Sequence, residues 1–300
     1  MKRLLLFIPI VALLGCQKVI DIDVPIQPTK ITANTLIDND VVWTVDVSKS
    51  KYILEAAWQF DSVTNAVVKI TDETLHTTLD LPHLKNHRYA SNQKPIPGHT
   101  YTLNVAVDGF ETVTSTTRIP DAIAIKEARW DSTDIMITPL NFRTSVALYV
   151  TFDDPPGVRN NYEIALFGRY TPMQFPGQPV NTDTTVSYIQ IFHDDPEIYS
   201  PEGSADGMLM HRFSDVAFDG EEKTIKFMVP TDNYSVHKMI LRLANQSGDY
   251  SKYADTRWLQ FRAQGDPFAQ PAAVYTNING GYGIFAARTF SVKSWDVPKQ

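Results

Sequence analysis

From Ile31 to Arg118 the chain alternates apolar and polar residues with a period of two. Ile31–Ile37, Val41–Val47, Val67–Thr71 and Tyr101–Val107 carry the pattern most clearly and are rich in β-branched residues. A strand with this pattern buries one face and wets the other. Asp38-Asn39-Asp40, Asp61-Ser62, Asp72-Glu73 and Asp108-Gly109 interrupt the alternation as turns. Their spacing predicts about seven short strands of the kind that stack as two antiparallel sheets.

Within this stretch, Pro97-Gly98-His99-Thr100-Tyr101-Thr102-Leu103 is similar to the tyrosine corner of Greek-key sandwiches. There the Tyr hydroxyl, here that of Tyr101, reaches a backbone group a few residues upstream and pins a crossover between sheets. The expectation is an immunoglobulin- or fibronectin-like β-sandwich over residues 31–120. Pro120 cannot donate to a central ladder, so the boundary of the unit is placed there.

A second pattern begins at Lys126, with longer strands expected at Ser145–Phe152, Tyr162–Phe167, Val186–Phe192, Thr224–Val229 and Lys238–Ala244. Long Pro-, Gly- and Asp-rich loops, notably 171–183 and 194–207, separate them. One helix is expected: Ser247-Gly248-Asp249 offers a cap, and Tyr250, Tyr253, Ala254, Arg257, Trp258 and Phe261 recur at spacings of three and four. That aromatic stripe is expected to pack on a sheet as core. Gly280, Gly281 and Gly283 lead into a final β-like run, Ile284–Val292, where they permit positive φ and close backbone approach. Without a following helix they do not make a nucleotide loop. The fold class is therefore all-β, a sandwich followed by a larger β-rich region (121–300) with one helix near its end.

The first residues are organised differently. Met1-Lys2-Arg3 supplies a positive start, and Leu4 to Leu14 is an apolar run too short to cross a bilayer. The run ends in Leu13-Leu14-Gly15-Cys16, which resembles the lipobox of bacterial lipoproteins. Residues 1–15 read as a signal peptide, Cys16 as the lipidated residue and 16–30 as a tether. Several acyl chains on one cysteine anchor a protein stably. No Asp follows Cys16 directly, which points to the outer membrane; either face of that membrane is compatible with Gln17-Lys18 and the spaced acids Asp21 and Asp23.

Composition narrows the partners. The chain has 27 Lys plus Arg against 34 Asp plus Glu, a net charge of −7. Losing Lys2 and Arg3 with the leader brings this to −9, which argues against nucleic acid and against a second, electrostatic attachment to anionic lipid. With Cys16 as the only cysteine, no internal disulfide, Cys-rich zinc module or iron–sulfur cluster can form.

Candidate chemistry is sparse. His83 and His87, with His76 nearby, would share a face only on a helix, which Pro82 and the strand pattern oppose; a solvated loop is expected. Asp153-Asp154 and His193-Asp194-Asp195 offer hard oxygen ligands of the type Ca²⁺ takes, although paired acids in turns are usually hydrated. No Gly-x-Ser-x-Gly elbow occurs and Cys16 is committed to lipid, so no acyl-transfer nucleophile is visible. Tyr170, Phe175, Tyr188, Tyr199 and Tyr275 are expected in long loops, where aromatics grip ligands or fold back on the sheet. The expectation is a non-catalytic protein with no cofactor and no metal.

The chain as a whole resembles a family of Bacteroidetes lipoproteins catalogued as a domain of unknown function. Cys16 to Asp21, Phe213 to Gly220, Tyr250-Ser251-Lys252-Tyr253 and Asn277 to Phe285, the last containing Asn277, Gly280, Gly281 and Gly283, match its motifs in order. Members are often encoded beside TonB-dependent outer-membrane receptors. The resemblance implies an accessory or binding partner of such a transporter in nutrient uptake. A surface glycan- or protein-binding adhesin is the alternative class, and a carbohydrate-active enzyme using two of the carboxylates is a third.

Overall fold

A computed structural model of the chain describes residues 25, 27–52, 55, 60–138, 143–170, 185–193, 195–196, 198, 210–230, 236–264, 269–270 and 272–296. The leader, Cys16 and the acids at 21 and 23 lie outside the described residues, as do Phe175, Asp194 and Tyr199.

The chain is mostly strand. The first part runs β1 (Ile31–Asp38), β2 (Thr44–Lys49), β3 (Val67–Asp72), β4 (Thr77–Leu81), β5 (His83–Lys85), β6 (Arg88–Ala90), β7 (Thr100–Ala106) and β8 (Val113–Arg118). The second runs β9 (Ile125–Thr138), β10 (Arg143–Asp153), β11 (Asn161–Tyr170), β12 (Thr185–Ile189), β13 (Met210–Ser214), β14 (Glu222–Pro230), β15 (Val236–Gln246), α1 (Gly248–Ala263) and β16 (Tyr282–Asp296). Nine strands form one sheet in the order β12-β11-β15-β16-β1-β2-β6-β5, with β13 sharing an edge of β11. A four-stranded sheet, β4-β3-β7-β8, and a three-stranded one, β14-β10-β9, complete the described structure.

Alternation explains the first core. In β1 the inward residues Ile31, Ala33, Thr35 and Ile37 are buried, and in β7 Tyr101, Leu103 and Val105. They meet Val45, Val47, Val68, Ile70 and Val113, with Trp43 edge-on to Tyr101 at 4.8 Å. A second core gathers Leu148, Val150 and Phe152 of β10, Tyr162, Ile164 and Leu166 of β11, and Ile225 and Phe227 of β14.

One strand serves both. Phe285 and Ala287 of β16 belong to the first core, and Trp295 at its far end packs on the second. β16 pairs antiparallel with β15 and parallel with β1, aligning Ala33 with Gly283 and Asp38 with Arg288. The parallel neighbours are the first and last described strands, so this pairing has no local turn to set it.

The helix keeps its expected cap but not its expected packing. Ser247 is extended, and its Oγ accepts hydrogen bonds from the amides of Tyr250 (3.2 Å) and Ala287 (3.2 Å). None of its residues is buried, and Phe261 is 61% exposed, so the aromatic stripe does not pack as core. The sheet face beneath α1 carries Glu163, Arg212 and Arg288, so the helix lies over polar side chains where a core contact would need apolar ones.

Candidate functional site

The motif ending in Gly283 seats β16. The Asn277 side chain donates to the Phe285 carbonyl (2.8 Å) and accepts from the Phe285 amide (2.9 Å), doing the work of a missing strand neighbour. Gly280 and Gly283 have φ of +79° and +117°. A Cβ at Gly281 would lie 2.3 Å from the Ile31 carbonyl oxygen, so glycine is needed where β16 closes on β1. Asn279 meanwhile bridges to Thr114 of β8. The Tyr101 hydroxyl accepts from the Ile96 amide, five residues upstream, at 3.0 Å. These residues join elements together.

Three carboxylates converge where two loops meet. Asp154 ends the inward run of β10, and Asp215 and Asp219 flank the turn between β13 and β14; their oxygens lie within 4.8 Å of one another. Asp154 accepts from the Gly220 amide (2.8 Å) and from the Tyr162 hydroxyl, Asp215 from the Asn160 amide (2.6 Å), and Asp219 from the Gly157 amide (2.8 Å). Asn160 in turn accepts from Asn245 Nδ2 at 2.9 Å. Burial raises the Asp215 carboxyl, and the neighbouring Asp154 adds to that against bonds from Asn160. The Tyr162 hydroxyl is raised by burial and by its bond to Asp154. This set has the hard donors Ca²⁺ favours, but protein donors already occupy an oxygen of each acid, and the arrangement ties the 154–160 loop to the 215–220 turn.

Other sequence candidates are placed elsewhere. Asp153 is exposed and ion-paired to Lys126 (3.0 Å), while Asp195 pairs with Lys223 (2.9 Å). Asp154 therefore meets Asp215 and Asp219, which are distant in sequence. His83 sits on the short strand β5 in place of the expected loop, its Nε2 2.9 Å from the Asn86 carbonyl; His87 lies 3.8 Å from Asp46. His99, which sequence reasoning passed over, holds Asp72 at 2.8 Å. Of the aromatics, Tyr275 is tied to α1 through Asp249 (2.6 Å), whereas Tyr170 and Tyr188 lie in strands β11 and β12 and not in the expected loops, Tyr170 packing on the second core and Tyr188 on the face of the large sheet that α1 covers.

That face holds a cleft of about 440 Å³, walled by Tyr188, Tyr250, Trp258 and Phe261 and floored by Glu163, Arg212 and Arg288. Arg288 reaches Asp38 at 2.6 and 3.3 Å and Glu163 at 3.2 Å. Glu163 also receives Gln246 Nε2 at 2.9 Å and lies 3.6 Å from Arg242. Arg242 is sandwiched between the rings of Phe167 (4.9 Å) and Phe290 (5.2 Å). Arg212 lies 3.3 Å from Asp255, whose carboxyl burial raises despite that cation. Sequence reasoning found none of these charges, because a charge at an outward strand position ordinarily faces water. The available signal was Glu163 and Arg242 inside otherwise apolar runs, in strands buried on both faces.

The fold defines a mostly β protein with one long sheet and a polar cleft under its single described helix. The chain belongs to the DUF4249 family, a domain of unknown function, whose pattern matches residues 17–294. No curated protein matches. Among solved structures, a DUF4785-family protein from Legionella pneumophila aligns at 9% identity and a TM-score of 0.27, over 72% of this chain and 51% of that one. The present chain thus spans about half of that protein, and a likeness at this level carries no argument.

Proposed function

We propose that this protein is a non-catalytic outer-membrane lipoprotein, held by acyl chains on Cys16, that serves a TonB-dependent transporter as an accessory in nutrient uptake. The supporting observation is that the chain's only cysteine falls directly after an eleven-residue apolar run and Gly15. The 14 residues Gln17–Lys30 separate it from β1 and can span at most roughly 50 Å, enough to hold the β structure clear of the lipid headgroups. No helix among the described residues is long and apolar enough to cross a membrane. The sites described above supply structural bonds more evidently than a nucleophile and its base.

Metabolic labelling with an alkyne fatty acid tests the anchor. The native chain takes label and fractionates with outer membrane, and Cys16→Ala takes none; an unlabelled native chain overturns the anchoring reading. Affinity isolation from detergent-solubilised membranes, with the co-purifying proteins identified by mass spectrometry, tests the partner. Recovery of a TonB-dependent receptor in stoichiometric amount supports the accessory role, and its repeated absence overturns it.

A further inference from the structure

Buried polar atoms without partners gather around the cleft under α1. Arg212 is 6% exposed, lines the cleft, and its Nε has no hydrogen-bond partner. Trp258, on the opposite wall, has an unpartnered Nε1, and Asp255 Oδ1 beside Arg212 accepts no aligned hydrogen bond. Folded proteins leave few such atoms unsatisfied, and a group of them beside an open cleft marks the place of something that completes them.

Charge states what is missing. Among the described residues, four guanidinium groups, Arg212, Arg242, Arg257 and Arg288, stand in or beside the cleft against three carboxylates, Asp38, Glu163 and Asp255. Glu163 is already engaged by Arg288, Gln246 and Arg242, so its negative charge is spent within the protein. Arg257 is exposed at the cleft and makes no ion pair among the described residues. The Arg257 fork is the free donor at the cleft surface, and Arg212 Nε and Trp258 Nε1 lie unpartnered just beneath it, within reach of a planar oxyanion after a small side-chain shift. The walls suit the face of a six-membered ring: Trp258 and Phe261 stack at 5.5 Å, and Tyr188 lies 4.4 Å from Phe167.

We propose that this cleft binds a carboxylate carried on a six-membered ring, with Arg212 and Arg257 taking the carboxylate and Trp258 and Tyr188 the ring face. A uronate unit of an acidic oligosaccharide, which lays the C–H face of its puckered ring on an aromatic side chain, and an aromatic carboxylic acid, which stacks its flat one, both present this ring-borne carboxylate. The site gives the proposed accessory protein a ligand of its own and depends on neither its anchor nor its transporter.

The test titrates the full chain in detergent with trigalacturonate, benzoate and the neutral maltotriose, read by calorimetry and by tryptophan fluorescence. Saturable binding of trigalacturonate or benzoate is expected, the arm that saturates naming the source, and the neutral sugar binds at least tenfold more weakly. Arg257→Gln, at an exposed position that leaves the fold intact, is expected to weaken binding roughly tenfold by removing one charged fork. Trp258→Phe is expected to weaken binding and abolish most of the fluorescence change, and Arg212→Gln, where its circular dichroism matches the parent, to abolish binding. Failure of both acids to saturate by about 10 mM would leave only water as the partner of those atoms and overturn the proposal. Equal affinity for maltotriose, or binding untouched by Arg257→Gln and Trp258→Phe, overturns it as well.

Discussion

Gly283 approaches Ala33 so closely that a Cβ on the glycine would stand 2.0 Å from the alanine's carbonyl oxygen. The contact lies in the parallel register between β16 and β1, and the glycine's φ of +117° is one that L side chains rarely adopt. Backbone geometry and space both exclude a side chain there. Since β16 contributes to both hydrophobic cores, whatever displaces it from β1 disturbs the whole structure.

Gly283→Ala is therefore expected to destabilise the protein by roughly 3 kcal/mol or more, from backbone strain added to a steric clash. Denaturant unfolding of the purified chain measures this. A loss under about 0.5 kcal/mol would show that β1 and β16 do not pair as described.

Tyr101→Phe removes the acceptor of the Ile96 amide and leaves the ring in place. The expected cost is about 1–2 kcal/mol, the range for an amide left without its bond. Unfolding midpoints with unchanged m-values check it, and an unaltered midpoint would mean that water replaces the hydroxyl at no cost.

Arg288→Leu strips the cation that joins Asp38 to the 3% exposed Glu163. Leaving the buried Glu163 carboxylate with only the more distant Arg242, at 3.6 Å, as its cation is expected to cost up to about 3 kcal/mol near neutral pH, less than breaking a lone buried pair. Adding Glu163→Gln to the same chain should recover part of that loss. If the double variant is no more stable than the single, Glu163 is not the group left stranded.

The acid side of the stability profile has two opposing contributions. Burial alone would raise the Asp72 carboxyl, but His99, the Leu75 amide, the Tyr101 hydroxyl and the Thr74 amide together outweigh it and lower its pKa below the usual 3.8. Its stabilisation is present above the unfolded value and is lost as pH falls below about 4 toward the depressed folded value. Asp72→Asn should flatten that acid-side loss, which unfolding measured between about pH 5 and 2 would reveal.

Asp215 runs the other way, because burial raises it. The folded state holds its proton more tightly than the unfolded chain, so stability falls as pH climbs from 3.8 through the raised folded value. Asp215→Asn should remove that decline and leave the protein at least as stable near neutrality, with Asn160 still able to donate to the retained amide oxygen. A large loss at neutral pH would instead mean that the ionised carboxylate is what binds the loop.

Local pattern determined the all-β class, the cap at Ser247 and the strands at Ser145–Phe152, Thr224–Val229 and Lys238–Ala244, because alternation and capping act between neighbours in the chain. Composition likewise left Cys16 as the single thiol. Tertiary structure alone decided that β1 lies beside β16, since parallel pairing across about 250 residues has no local signature. It also brought Asp154 to Asp215 and turned Glu163, Arg212 and Arg288 inward beneath a helix. A period of two says which residues share a face; only the packing of another element decides whether that face meets water.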